Sequence, residues 1–340
     1  MDKTKVLVTG ATGLVGFHAV KHLLSKGFAV KALTRSSSNT VDLQSLSTSG
    51  QLSIVQAELD DKQQLINCLN GVDVVVHAAG FVDPLAKRED IYKVNVQATG
   101  TLLAAAKEAK VKQFIHISSL SVITGQGDQY GLSESAELKY CGEAYADSKV
   151  DAEKLVTTKN GTIAVTVLRP GFIYGPKEKA WMPRLINSIA QGKAMLIDGG
   201  HKETNVIYVG NLSQAIELAI LNKQSYGQVY NLTDGEKVSK KQLFDAIADG
   251  LQLPRVTKTI PSAVAKTACE VVSVIAPLLP LSARKGLARY SRAAFRLAGV
   301  NQGFDIGKAE RELNYTKRIP FAEGMKLTLA DFGSKKPMGN

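Results

Sequence analysis

Thr9-Gly10-Ala11-Thr12-Gly13-Leu14-Val15-Gly16 sets three glycines at three-residue spacing, directly after the apolar run Lys5-Val6-Leu7-Val8-Thr9. Glycine at these places permits a tight turn, close approach of a ligand to the backbone, and close packing of helix on strand. From Leu14 to Ser25 the apolar residues follow helical spacing, and Gly27 ends the run. A buried strand, a glycine turn and a helix are therefore expected here. A helix starting at such a turn aims free N–H groups and its positive dipole end at an anion. The candidate pyrophosphate contacts are Gly10, Thr12, Gly13, Leu14, Val15 and Gly16.

Strand and helix signals continue to alternate. Strands are expected at 28–33, 52–55, 72–77, 114–117, 165–168, 205–209 and 229–232. Helices are expected at 63–69, 93–109, 145–157, 184–190 and 211–221, the last with Asn211 as N-cap. The alternation implies a Rossmann-type α/β fold, a doubly wound parallel sheet with helices on both faces. Ligands on that architecture sit beyond the carboxyl ends of the strands. The expected division is a dinucleotide-binding domain over 1–175 with returns near 204–232. A smaller, mostly helical substrate lobe would take 176–203 and 233–340.

The chain has 340 residues and a formal charge of +11. That charge favours anionic partners, among them a phosphorylated cofactor, an acyl carrier or an anionic membrane surface; a generically basic surface explains it equally well. No nucleic-acid-binding motif accompanies it, so nucleic acid is not an expected partner. Cys68, Cys141 and Cys269 share no close spacing and the five histidines are scattered, which argues against a disulfide framework or a metal site. The first strand follows Met1 almost at once, leaving no signal peptide, and the apolar run Val271–Leu281 is short of the ~20 residues a membrane span needs. A cytoplasmic location is the expectation.

Three further features carry chemistry. Strand two ends at Thr34-Arg35-Ser36, where an acidic residue would suit the ribose of NAD. Arg35 and Ser36 suit a 2′-phosphate instead, so NADP(H) is expected over NAD(H). Tyr145 and Lys149 stand four apart on one helix face. An ammonium there favours the phenolate and is expected to lower the tyrosine pKa, which suits proton transfer. Ser118-Ser119 close the strand 114–117, and a hydroxyl there can hydrogen-bond a substrate oxygen. Ser121 is a rival for that role.

Taken in order, these pieces resemble the extended short-chain dehydrogenase/reductase family. The residues that carry the likeness are Thr9 to Gly16, Glu58-Leu59-Asp60-Asp61, His77-Ala78-Ala79-Gly80, Val94-Asn95-Val96 with Gly100-Thr101, His116 to Ser119, Tyr145 to Glu153, Leu168 to Pro176 and Asn205 to Leu212. The resemblance implies that Ser119 polarises a carbonyl, Tyr145 transfers a proton, and Lys149 tunes the tyrosine and holds the nicotinamide ribose. It also implies that Leu59 and Asp60 meet the adenine and that Ala78, Ala79 and Gly80 line the cofactor. Asn95 would order the site, and Pro170 and Ile173 would border the nicotinamide. Helices near 95–110 and 145–158 would form a homodimer. Phe304 to Tyr315 and Phe321 to Gly324 resemble the 3β-hydroxysteroid dehydrogenase and dihydroflavonol-reductase-like branch. Sugar-nucleotide epimerases share much of this frame.

Between Arg255 and Val300 the only acid is Glu270, and Lys285, Arg289, Arg292 and Arg296 fall at helical spacing. Beside the apolar Val271–Leu281 such a stripe could rest on a membrane surface or admit a lipid-like substrate. A core helix followed by a solvated basic helix is the other reading. The expected activity is interconversion of a ketone and a secondary alcohol on a hydrophobic steroid-like, flavonoid-like or long-chain β-keto compound. A nucleotide-sugar epimerase or dehydratase with retained cofactor, and a non-catalytic NADP(H)-sensing protein, are the rivals.

Overall fold

The computed structural model describes residues 3–333 other than 48, 49, 84, 126, 159, 160, 277, 278 and 280–291. The alternating pattern folds in this order: β1 (Lys5–Thr9), α1 (Leu14–Ser25), β2 (Ala29–Thr34), β3 (Leu52–Gln56), α2 (Lys62–Leu69), β4 (Val74–His77), α3 (Ala98–Glu108), β5 (Gln113–Ile117), α4 (Ala144–Thr158), β6 (Ala164–Pro170), α5 (Val209–Leu221) and β7 (Val229–Leu232). The strands form one seven-stranded sheet in the order β7-β6-β5-β4-β1-β2-β3. Every neighbouring pair is parallel, with Val6 opposite Val30 on one side of β1 and Val74 on the other. Strand order reverses between β1 and β4, so a crevice opens there at the carboxyl ends.

Period-two alternation divides the strands between two cores. Val6 and Val8 point to the face covered by α1 and α5, with Val20, Leu23, Leu212 and Ile216. Leu7 points to the other face, with Leu65 of α2, Leu102 of α3 and Val156 of α4. Burial on both faces explains why the strands read as unbroken Val and Leu runs. Ile306, Ala309, Leu313 and Tyr315 join the first of these cores, so part of the segment 233–340 packs with the sheet. A third core holds Tyr174, Met182, Leu196, Tyr208, Leu243, Ile247, Phe321 and Met325.

Two local expectations change. The helix expected over 93–109 is two pieces, a π-turn at Lys93–Gln97 and α3, and an α-helical turn at Arg88–Tyr92 precedes them. Within the π-turn Asn95 is buried and its amide bonds outside the helix, to the Phe81 backbone and Ser148. Asn211 does not cap α5. The helix begins two residues earlier, and Asp234 accepts from both the Tyr208 N–H and the Asn211 amide.

A buried ion pair seats α4 on the sheet. Glu153 lies two turns beyond Tyr145 on the same face, and Arg169 stands near the end of β6. Arg169 Nη2 meets Glu153 Oε1 at 2.5 Å, with side chains 4% and 2% exposed. Arg169 Nε donates to both carboxylate oxygens, at 3.0 and 3.1 Å, and Ser118 Oγ donates to Oε2 at 2.5 Å. The carboxylate thus gathers the ends of β5 and β6 and the body of α4 around one point. Arg169→Met strands it without its cation, and a loss of about 3–5 kcal/mol in urea unfolding is expected.

Candidate active site

The glycine turn lies at the crevice. Gly10 has φ +63°, and a Cβ added there would meet Ala79 Cα at 2.8 Å. A Cβ on Gly16 would fall 2.2 Å from the Gly10 carbonyl oxygen, so only glycine allows α1 this close. Gly13 N–H donates to the Gly10 carbonyl at 2.9 Å and Gly13 occupies the N-cap without a side-chain bond. Thr12 and Gly13 are exposed and Leu14 and Val15 partly so. The first N–H groups of a helix have no acceptor inside it. A bare backbone cradle with a positive helix end at a topological switch point fits the pyrophosphate of a dinucleotide.

A buried chain of hydrogen bonds holds that cradle to α3. Thr9 Oγ1 lies 2.8 Å from His77 Nδ1, and His77 Nε2 lies 2.8 Å from Thr99 Oγ1. Thr99 gives its proton to the Asn95 carbonyl, so His77 Nε2 must be the donor to Thr99. Nδ1 is then bare and accepts from Thr9, whose oxygen in turn accepts from the Ala79 N–H. Burial lowers the His77 pKa to about 3 and keeps the ring neutral. The sequence marked His77 only as one of the family-like residues; its threonine partners lie 68 and 22 residues away, too far for local pattern to reveal.

The second half of the site stands on α4. Lys149 is 5% exposed and its ammonium donates to the Ile117 carbonyl at 2.8 Å. It also lies beside the loop after β4, where a Cβ on Gly80 would meet Lys149 Nζ at 3.6 Å and Asn95 Oδ1 at 3.7 Å. Asn95 Oδ1 accepts from Phe81 N at 2.7 Å and Nδ2 donates to Ser148 Oγ at 2.9 Å, which ties that loop to α4. Ala78 and Ala79 are partly exposed along it.

Ser119 is the hydroxyl residue that acts on the Tyr145 phenol, favouring its ionised form. Ser119 Oγ also accepts from the Ser121 N–H at 3.1 Å, while the Ser121 hydroxyl is buried with no partner among the described residues. The hydroxyl brought to the phenol is therefore that of Ser119. The expected fall in the tyrosine pKa is not found. Burial is the largest influence and raises it; Ser119 and the Arg296 guanidinium act the other way. Lys149 is itself lowered to about 8 by burial, and its ammonium is engaged by Ile117. Tyr145 is a phenol, not a phenolate, at neutral pH.

At the far end of the crevice Arg35 and Ser36 are exposed after β2, and the Arg35 side chain has no ion-pair partner among the described residues. Leu59 is partly exposed, and Asp60 is exposed with Lys93 Nζ at 3.4 Å. Pro170 is buried at the end of β6, its carbonyl accepting from Leu120 N–H at 3.0 Å. Ile173 lies on the strand Phe172–Tyr174, paired with Val206–Tyr208.

The basic stripe expected over 285–296 changes character. Lys285 and Arg289 lie outside the described residues, and Arg292 is exposed. Arg296 is buried and paired with Glu143, at 3.1 Å from Nε and 2.5 Å from Nη2. It faces the site rather than solvent. The next residues of its helix, Leu297 and Ala298, line a cavity of about 300 Å³ with Phe172, Trp181, Leu185, Leu196, Leu243 and Phe244.

Residues 7–253 match the model of the 3-beta hydroxysteroid dehydrogenase/isomerase family. A 4-hydroxy-2-methyl-3-oxo-4-farnesyl-3,4-dihydroquinoline-1-oxide ketoreductase of Stigmatella aurantiaca is 29% identical over 94% of this chain and 94% of that protein. A 2-alkyl-3-oxoalkanoate reductase of Shewanella oneidensis is 26% identical over 94% of this chain and 84% of that protein. Among solved structures, the dTDP-glucose 4,6-dehydratase DesIV of Streptomyces venezuelae, with NAD and TYD bound, superposes with a TM-score of 0.78 at 23% identity over 97% of each chain.

Gly16→Ala tests the cradle. The added methyl must push α1 off the Gly10 carbonyl, and dinucleotide affinity is expected to fall about tenfold or more in a fluorescence titration, while the circular dichroism spectrum stays that of a folded protein.

Proposed function

The chain belongs to the 3-beta hydroxysteroid dehydrogenase/isomerase family, and from that premise we propose that this oxidoreductase uses NADPH to reduce a ketone on a hydrophobic substrate to a secondary alcohol. The observation that carries the reading is Ser119 set to act on the Tyr145 phenol, on the helix face that also holds Lys149. A steroid-like, flavonoid-like or long-chain β-keto compound suits the apolar cavity lined by Phe172, Trp181 and Leu243. The two relatives named as reductases of 3-oxo compounds support the same class.

The residues fit a dinucleotide as follows. Gly10, Thr12, Gly13, Leu14, Val15 and Gly16 take the pyrophosphate. Leu59 and Asp60 flank the adenine, and Ala78, Ala79 and Gly80 line the middle of the cofactor. Lys149 holds the nicotinamide ribose, with Pro170 and Ile173 at the ring. The bound nicotinamide supplies the hydride. Ser119 donates a hydrogen bond to the carbonyl oxygen, and Tyr145 gives that oxygen a proton. Burial keeps Tyr145 protonated at rest, which is the form that reduction requires. Lys149, at about 8, is mainly an ammonium at neutral pH and steadies the phenolate left behind. Asn95 acts at one remove, fixing the Phe81 loop to Ser148.

Preference for NADP(H) rests on Arg35, an exposed guanidinium at the end of β2 with an acceptor to gain from a 2′-phosphate. Arg35→Asp is expected to shift the kcat/KM ratio of NADPH to NADH toward NADH by about tenfold or more. A homodimer through α3 and α4 is part of this proposal.

A panel of ketones, 3-oxo acids and steroids followed by NADPH absorbance tests the whole reading. Tyr145→Phe is expected to lower turnover by about a hundredfold or more with NADPH binding unchanged. A nucleotide-sugar epimerase or dehydratase would consume no NADPH, and a cofactor sensor would be indifferent to the substitution.

A further inference from the structure

The turn that carries Tyr145 is pinned from a distant part of the chain. Glu143 immediately precedes α4, and its carbonyl opens the helical ladder by accepting the Asp147 N–H at 2.9 Å. Its carboxylate accepts from Arg296 Nε at 3.1 Å and from Nη2 at 2.5 Å. The two side chains are 9% and 21% exposed for Arg296 and Glu143, so the pair is largely enclosed. The backbone of Arg296 is held as well. Its carbonyl accepts from Gln302 Nε2 at 3.4 Å, and the strand Gln302–Phe304 pairs with Gln129–Leu132. Phe304 and Leu132 pack in turn on Leu120, Val122 and Val150, beside Ser119 and on α4. The guanidinium is therefore fixed both at its fork and at its root.

Other charges meet the same turn. Asp147 accepts from the Cys141 N–H at 2.9 Å, the Gly142 N–H at 3.2 Å and Arg88 Nη2 at 3.1 Å. The Cys141 thiol is pushed up by burial and lies in the field of Glu143, Arg296 and Asp147. Lys149, one turn further along α4, is spent on the Ile117 carbonyl and is lowered to about 8 by burial. Its charge therefore fades in mildly alkaline solution. A guanidinium keeps its proton throughout that range. When Tyr145 gives up a proton, a phenolate is left in an enclosed site where water cannot screen it, and a fixed cation nearby offsets that cost.

We propose that Arg296 is a positioning residue for proton transfer: locked on Glu143 at the entrance to α4, it fixes the turn that carries Tyr145 and steadies the phenolate beside Ser119. The transfer step rests on the ketoreductase reading; the effect on the phenol does not. In support, Arg296 already acts against the burial that raises the Tyr145 pKa.

Phenolate absorbance in the near ultraviolet, taken as the difference between each protein and its Tyr145→Phe form, titrates this one tyrosine without cofactor or turnover. Arg296→Met is expected to raise the midpoint by about one unit or more. Arg296→Lys keeps the charge and loses the fork, and its midpoint is expected within about half a unit of wild type. Glu143→Gln removes the carboxylate and leaves the cation, so its midpoint is expected to stay or to fall. A merely structural pair would move Glu143→Gln and Arg296→Met in the same direction. A midpoint unmoved by Arg296→Met, or raised by Glu143→Gln, would overturn the proposal. If Arg296→Met does not fold, the double form Glu143→Gln with Arg296→Met, which strands no charge, replaces it with the same rise expected. Arg292→Met, on the same helix and exposed, is expected to leave the midpoint in place. In turnover, Arg296→Met is expected to lower kcat about tenfold with KM within about twofold. A rise in KM alone would put Arg296 on the substrate and also overturn the proposal. A shifted midpoint in a protein that reduces no ketone would sink the ketoreductase reading and leave this role standing; ketone reduction with an unmoved midpoint would do the reverse.

Discussion

The ion pair between Glu153 and Arg169 decides where α4 can lie, and the candidate chemistry lies on that helix. Two charges this deeply buried are stabilising only when geometry and hydrogen bonds are nearly complete. Here Arg169 presents Nε and Nη2 to one carboxylate, and Ser118 supplies a third donor. The pair therefore tolerates little sliding of α4 along the sheet. Tyr145 and Lys149 are carried on the same face, at two turns and one turn before Glu153. Ser118 belongs to the clamp and its neighbour Ser119 to the site, so the residue that fixes the helix and the residue that meets the phenol are adjacent in one chain segment.

The cradle is held by different means. Close approach of Gly16 to Gly10 leaves no room for a side chain, and the Thr9–His77–Thr99 chain locks the turn to α3 through a neutral imidazole. Asn95, in a π-turn, then binds the loop after β4 to α4. The two halves are thus joined across the crevice by polar groups that have nearly all their donors and acceptors used. Such satisfied networks hold geometry more firmly than apolar packing, because moving one member leaves several buried groups unpaired.

The sheet was legible because parallel strands buried on both faces announce themselves as Val and Leu runs, as in Val6-Leu7-Val8 and Val74-Val75-Val76. The glycine turn was legible because its steric demand allows one residue type. What escaped depends on distance or on desolvation. The Arg169–Glu153 pair joins a strand to a helix, and neither residue's pattern reveals its partner. The direction of the Tyr145 pKa followed burial, which sequence spacing cannot supply, and it came out opposite to the expectation from Lys149. Arg296, read as part of a solvated or membrane-facing stripe, turned inward because Glu143 offers it a bidentate partner. Exposed Val264, Val271, Val274 and Ile275 show that the helix Ser262–Ile275 does keep an apolar outer face, although no described helix is long and apolar enough to cross a membrane.

The central claim is spatial: one dinucleotide, laid across the glycine turn, must bring its pyridine ring to the phenol that α4 presents. A crystal structure of the complex with NADPH measures this directly. The account predicts the pyrophosphate on the N–H groups of Leu14 and Val15, the ribose on Lys149, and the reactive ring carbon about 3–5 Å from a substrate carbon whose oxygen touches Tyr145 and Ser119. A ring turned away from α4, or phosphates that bypass the turn, would contradict it.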